Sequence, residues 1–239
     1  MLYLIGLGLS HDSISKKGLE IAKKCKKVYL ENYTVELPYS NGAIEETIGK
    51  KVVPADREFV EGLEIIDEAV RADVALLIYG SPLMATTHMT LLEEARKSGV
   101  KTEVVYNASI FDAIAETGLQ LYKFGKIASI PMWKKNFAPD SFVEIIQHNL
   151  SMKAHSLVLI DIGLRFEEAV KQLKEASEKR GLKIKEIIVC QALGTSKKKI
   201  IYSDFENIRE TRGIFAPYCF IIPSELHFLE KEFLENFRI

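Results

Sequence analysis

Three short runs gather the groups in this chain that could hold a small ligand or do chemistry on one. Gly6-Leu7-Gly8-Leu9 follows an apolar stretch, and two glycines at that spacing let a backbone approach a ligand closely. The third glycine of a dinucleotide fingerprint is missing, because His11 stands in its place, so taken alone the run reads as a tight turn. Tyr79-Gly80-Ser81-Pro82-Leu83-Met84-Ala85-Thr86-Thr87-His88 offers three hydroxyls beside the free N–H groups of a helix start, with Thr86 or Thr87 as the expected N-cap. His88 fits either a helix surface or an acid–base role beside a ligand loop. In Asn107-Ala108-Ser109-Ile110-Phe111-Asp112, Ser109 is the expected N-cap with Asp112 three residues on. Capping and ligand binding are compatible there, because a helix start presents unpaired donors.

Other chemistries lack their residues. No Ser/His/Asp order, phosphate-binding Walker loop or metal-ligand cluster is present, so neither a metal site nor a catalytic residue is assigned. Cys25, Cys190 and Cys219 are odd in number and far apart, which predicts reduced thiols rather than a disulfide framework or a zinc site. A net charge of −1 gives no global field for nucleic acid or a membrane surface. Lys134-Lys135 and Lys197-Lys198-Lys199 read as solvated loops, and His148 and His155 as structural or exposed residues. No apolar run approaches the about 18 residues of a membrane span, and no targeting segment is evident, so a cytoplasmic protein is expected.

The runs need elements to position them. Apolar β-branched stretches alternate with amphipathic ones, which predicts an α/β chain. The expected strands are Leu2–Ile5, Val28–Leu30, Val74–Ile78 and Lys101–Val105 in the first part. Helices are expected over Ser15–Lys24, Phe59–Val70 and Thr87–Ser98, with Leu63, Ile66 and Val70 on the buried face of the second; Tyr33 to Asn41 reads as loop. Ser109 to Pro139, rich in glycine and proline, reads as a hinge containing Trp133, which either lines a cleft or covers a core. Beyond it come helices Ser141–Leu150, Phe166–Arg180 and Leu226–Phe237, with strands Ser156–Asp161, Ile187–Ala192, Lys199–Tyr202 and Cys219–Pro223. Two α/β domains are expected, 1–108 and 109–239. Each ligand-type run directly follows a strand, where α/β folds place their sites.

These runs together resemble the diphthine synthase family of the tetrapyrrole methylase-like superfamily. The resemblance rests on Tyr3-Leu4-Ile5-Gly6-Leu7-Gly8-Leu9, Lys17-Gly18-Leu19-Glu20, Leu30-Glu31-Asn32-Tyr33-Thr34, Ala85-Thr86-Thr87-His88 and Asn107-Ala108-Ser109-Ile110. Thr117-Gly118-Leu119-Gln120-Leu121-Tyr122-Lys123-Phe124-Gly125 separates this family from the tetrapyrrole methylases themselves. Likeness is dense over residues 2–131 and returns at 155–162 and 217–227.

The resemblance implies two α/β domains with S-adenosylmethionine in the cleft between them, and a homodimer. It implies methylation of the amino group carried by the modified histidine of translation elongation factor 2. Carried over position by position, the cofactor contacts are Leu9, Ser81, Met84, Ser109, Ile110, Ile160, Leu193 and Tyr218. Ser81 stands where the family has Asp, and Tyr218 where it has His. A hydroxyl thus replaces a carboxylate at Ser81, and these two departures motivate the rival reading of a non-catalytic binding protein. Methylation of a tetrapyrrole or other small acceptor is the alternative within enzymes. Gly8→Val is expected to block cofactor binding and leave the fold largely intact.

Overall fold

The computed structural model describes residues 1–239 and shows two compact units, Met1–Phe111 and Asp112–Ile239. The first unit has β1 (Leu2–Gly6), α1 (Lys16–Lys24), β2 (Lys27–Glu31), α2 (Asn41–Ile48), β3 (Val53–Ala55), α3 (Arg57–Glu61), α4 (Glu64–Arg71), β4 (Val74–Ile78), α5 (Met89–Lys97) and β5 (Thr102–Val105). A short α6 (Ile110–Ala113) follows. The strands form one parallel sheet in the order β3-β2-β4-β1-β5. A parallel sheet is covered on both faces, so its central strands carry apolar residues throughout; in β4, Val-Ala-Leu-Leu-Ile is buried at every position. Leu2, Leu4, Val74 and Leu76 point to the face covered by α4 and α5, whereas Ile5, Val28, Ala75 and Leu77 point to the face covered by α1 and α2. Each such side chain contributes roughly 1.5–3 kcal/mol by leaving water.

The helix expected over Phe59–Val70 is two helices. Gly62 and Leu63 break it, with Leu63 in the left-handed region at φ 71. The break rotates the second half, so that Ile65, Ile66 and Ala69 are buried and Val70 is exposed, against the spacing expected from Leu63, Ile66 and Val70. Chain geometry here overrides the periodicity. Helix α2 and strand β3 are also additions; Ser40 caps α2 by accepting from the Ala43 N–H at 3.3 Å. The N-cap of α5 is His88 rather than Thr86 or Thr87, and it makes no side-chain cap bond. Thr87 Oγ1 instead donates to Glu61 Oε1 at 3.0 Å.

The second unit contains β6 (Ala128–Ile130), α7 (Ser141–Ser151), β7 (Ser156–Ile160), α8 (Phe166–Lys179), β8 (Glu186–Gln191), β9 (Lys199–Asp204), β10 (Tyr218–Ile222) and α9 (Phe228–Leu234). Its mixed sheet runs β6-β7-β10-β8-β9. β6 and β7 are parallel, β10 is antiparallel to β7 and β8, and β9 is antiparallel to β8. Helices α7 and α8 bury Phe142, Val143, Phe166 and Leu173 against one face. Trp133 covers this core and donates from Nε1 to the Pro139 carbonyl at 3.0 Å. The stretch read as a hinge therefore supplies β6 and part of a core cover. The last helix is shorter than expected, because residues 235–237 tighten into a 3₁₀ turn. All three cysteines are buried and free.

Candidate functional site

Because all five strands of the first sheet are parallel, their carboxyl ends share one edge, and every loop singled out in the first unit lies there. The loops after β1 and β4 are zipped together by reciprocal bonds, Gly8 N–H to Gly80 O at 3.0 Å and Gly80 N–H to Gly8 O at 2.9 Å. Gly8 and Gly80 both take positive φ, 72 and 74. A methyl group on Gly6 would stand 2.7 Å from the Gly80 carbonyl oxygen, so the close approach of the two chains itself demands glycine. The G-x-G has a structural cause in addition to any ligand.

Asn107, at the end of β5, clasps three loops. Its Nδ2 donates to Gly6 O at 3.0 Å and Ser13 O at 2.9 Å, its Oδ1 accepts from Ala108 N–H at 2.8 Å, and its own N–H donates to Ser81 Oγ at 3.3 Å. Ser81 is buried, and its oxygen is thus already an acceptor within the protein. Ser109 caps α6, with Oγ accepting from Phe111 N–H at 3.2 Å. Between Ser81 and His88 the chain is strained: Leu83 and Ala85 have φ 68 and 53, and the Met84 side chain between them is 46% exposed. Non-glycine residues in the left-handed region cost on the order of 1–3 kcal/mol and concentrate at ligand loops. Thr86 Oγ1 is buried without a partner. Leu9, Ser81, Met84, Ser109 and Ile110 therefore share one edge of the sheet, with Leu9 buried and Ile110 half-buried.

A second cluster on this edge went unassigned in the sequence. Glu31 ends β2, is 3% exposed, and accepts from Tyr33 N–H at 3.0 Å, Thr34 N–H at 2.8 Å and Thr34 Oγ1 at 2.7 Å. The Tyr33 hydroxyl lies 3.3 Å from His88 Nε2, and the Arg57 guanidinium stands 5.3 Å over the Tyr33 ring. Burial pushes the Tyr33 phenol up to about 12, with Glu31 and Glu61 adding to it. Burial lowers His88, and the same two carboxylates pull it partly back. The signal was present in Leu30-Glu31-Asn32-Tyr33-Thr34, but nothing in the spacing pairs position 33 with position 88.

In the second unit, Ile160 ends β7, Leu193 lies just past β8, and Tyr218 begins β10. β10 runs against both neighbours, so these positions fall on one edge of that sheet; Tyr218 pairs with Gln191, and the Phe220–Val158 register continued by two residues carries Tyr218 toward Ile160. The Tyr218 ring packs on Phe166 and Phe220 in the core, and its hydroxyl donates to the Leu164 carbonyl at 2.8 Å. Its side chain is engaged by the protein. Leu193 is buried, and Ile160 is partly buried against the core. No group of three or more His, Cys, Asp or Glu side chains is arranged to hold a metal ion, and no helix is long and apolar enough to cross a membrane.

Residues 1–208 match the profile of the tetrapyrrole (corrin/porphyrin) methylases. The chain is 36% identical to the diphthine synthase of Methanocaldococcus jannaschii, an alignment that covers 98% of each protein. It is 35% identical to the diphthine methyl ester synthase of Saccharomyces cerevisiae, over 99% of this chain and 89% of that one. A crystal structure of diphthine synthase superposes with a TM-score of 0.88 at 31% identity, covering 99% of this chain and 95% of the other. Strand-end loops shaped by backbone approach, a two-sheet α/β fold and likeness over nearly the whole chain agree: this protein is a methyltransferase of the tetrapyrrole methylase family and belongs to its diphthine synthase group.

Proposed function

We propose that the chain transfers methyl groups from S-adenosylmethionine to the amino group on the modified histidine of translation elongation factor 2, in diphthamide biosynthesis. The observation that carries this reading is the near-complete likeness to diphthine synthases. The strand-end loops suit the cofactor chemically: backbone N–H groups at a helix start, small hydroxyls, the half-exposed Met84 thioether and the unpartnered Thr86 hydroxyl. Leu9, Ser81, Met84, Ser109 and Ile110 are the proposed contacts from the first unit. From the second, the proposal carries Ile160, Leu193 and, through its backbone, Tyr218. When bound, the cofactor supplies an electrophilic sulfonium methyl. The chain's own residues then have to fix the amine in line with it and keep water out, and orientation of this kind supplies much of the rate.

A cytoplasmic homodimer is part of the same proposal. On α9, Phe228 and Leu229 are 69% and 53% exposed, and Phe233 lies beside them, an apolar face of the kind that a second copy covers. The acceptor has a second reading, favoured by the names of the eukaryotic relatives: a carboxylate oxygen is methylated as well, giving an ester.

Mass spectrometry of elongation factor 2 precursor, after incubation with the protein and S-adenosylmethionine, tests both readings. Methyl groups that survive mild alkali sit on nitrogen, and a methyl lost in alkali is an ester. Cofactor binding with no mass gain would replace the proposal with the binding-protein reading.

A further inference from the structure

An amine that attacks a methyl group must first be uncharged, yet free alkyl amines are protonated at neutral pH. None of the proposed cofactor contacts is a base at that pH. The Tyr33–His88 pair stands on the same sheet edge, over the carboxyl ends of the adjacent strands β2 and β4. His88 is 2% exposed, its Nε2 is 3.3 Å from the Tyr33 hydroxyl, and its Nδ1 meets no partner. A buried imidazole that served only to pack or cap would have both nitrogens satisfied, and His88 makes no cap bond to α5. The Tyr33 oxygen, on a half-buried ring, keeps a lone pair for a donor from outside the protein.

We propose that Tyr33 and His88 form the proton relay of the methyl transfer, with the Tyr33 hydroxyl taking a proton from the acceptor ammonium as it passes its own to His88 Nε2. This inference rests on the amine-acceptor reading above. The relay uses the tautomer in which Nδ1 carries the hydrogen and Nε2 accepts from the phenol. The nitrogen keeps the electron pair with which it attacks, Tyr33 ends as it began, and the buried His88 holds the proton as an imidazolium until, with the product gone, it returns through the Tyr33 hydroxyl to water. The surroundings match both states. Burial keeps the resting ring neutral and therefore able to accept, while Glu31 and Glu61 stabilise the charged ring once it forms. Arg57 faces the Tyr33 ring and pulls the phenol down against burial, which raises it, and it does not act on the imidazole. Tyr33 stays protonated throughout, a conduit instead of a phenolate base.

Single-turnover methylation of the amine, followed from about pH 7 to about pH 10 for the unaltered protein, Tyr33→Phe and His88→Gln, tests the relay. A general base contributes on the order of 10²-fold, so both variants should lose about that much near neutrality. The deficit should close as the pH rises and the amine loses its proton to water unaided. Calorimetric affinity for S-adenosylmethionine should not change. Tyr33→Phe removes one partly exposed hydroxyl and keeps the test alive if His88→Gln folds poorly. Rates equal to the unaltered protein at every pH would overturn the relay. A deficit that persists at alkaline pH would also overturn it, in favour of a purely positioning role. If the unaltered protein adds no methyl to nitrogen at any pH, the acceptor reading falls, and the relay with it.

Discussion

Each sheet of this protein carries one network of buried polar bonds, the first at the carboxyl ends of its strands and the second about the starts of β6 and β7. In the first unit, the bonds of Asn107, Ser81 and Glu31 all lie at the carboxyl ends of parallel strands, among the loops of the proposed site. In the second, Asn149 at the end of α7 accepts from Lys126 N–H at 2.9 Å and donates to Lys126 O at 2.7 Å and to Ser156 Oγ at 3.0 Å. Nearby, Glu230 accepts from Gln120 N–H at 3.0 Å, His227 N–H at 2.8 Å and Lys123 Nζ, and faces the buried His155. Lys126, Ser156 and His155 all sit at or before the starts of β6 and β7, away from the edge that carries Ile160, Leu193 and Tyr218. The first network thus shapes the loops of the proposed site, and the second holds chain ends to a sheet. Substitutions in the two networks should separate stability from ligand affinity.

The largest effect is expected at Glu230, which is 1% exposed. Burial by itself would raise its carboxyl, but Lys123 and the N–H groups of Gln120 and His227 outweigh burial and hold it at about 2. A folded value below the ordinary one means stability that is complete above about pH 4.5 and is lost as the pH falls toward 2. At about 1.4 kcal/mol per unit, that is on the order of 3 kcal/mol. Glu230→Gln should lower unfolding free energy by about that much at pH 7, with the gap from the unaltered protein closing in acid. Cofactor affinity should not move. Denaturant melts at several pH values, paired with calorimetry, check both; a weakened cofactor constant would break the division between the two edges.

Gly8→Val comes next. A Cβ there would lie 2.7 Å from Ser13 Cβ, and the backbone is at φ 72, where a branched side chain is strained. The structure thus corrects the expectation of an intact fold: the variant should be about 2–3 kcal/mol less stable and also fail to bind S-adenosylmethionine. Asn107→Ala and Asn149→Ala form a matched pair of smaller effect. Each removes an amide that bonds the backbone on both its oxygen and its nitrogen, worth about 2 kcal/mol apiece. Only Asn107→Ala should also weaken the cofactor, by roughly tenfold, as the loops after β1 and β5 lose their side-chain clasp while the backbone N–H bond to Ser81 stays. Equal affinities in the two variants would show that the carboxyl-edge network does not shape the site.

The asymmetry also explains what could be seen in the sequence. Val74 to Ile78 and Leu2 to Gly6 announce themselves because a strand covered on both faces is apolar throughout, and the loops that follow them were found for the same reason. What stayed hidden was settled by backbone twist or distance along the chain. Leu63 turns left-handed and reorients α4, β6 emerges from a glycine- and proline-rich stretch, and Tyr33 meets His88 across 55 residues. Tyr218 stands on the edge shared with Ile160, but its side chain is spent on Phe166, Phe220 and Leu164, which its position in the sequence does not announce. Periodicity reports which side chains are buried. It does not report which hydroxyl a buried amide will find.

The smallest effect, and the finest probe of the first edge, is expected at Ser81. Its oxygen accepts from Asn107 N–H at 3.3 Å, a long bond that a serine makes with little to spare. Ser81→Ala should remove that acceptor and cost about 1 kcal/mol of stability, with a slight loss of cofactor affinity as the loop loosens. Ser81→Asp keeps an acceptor for the Asn107 N–H and adds a charge toward a cofactor that carries positive groups. A charge-assisted bond exceeds a neutral one by on the order of 1 kcal/mol, about tenfold in dissociation constant, before the cost of desolvating a carboxylate at a buried position. Tighter binding of S-adenosylmethionine is therefore expected for Ser81→Asp, most clearly at low salt, since screening acts on the charge and not on the hydroxyl. Calorimetry at two ionic strengths separates the terms. A constant that moves in neither variant would take Ser81 out of the site, leaving it as an acceptor for Asn107 alone. Weaker binding in Ser81→Asp would mean instead that desolvation outweighs the added attraction.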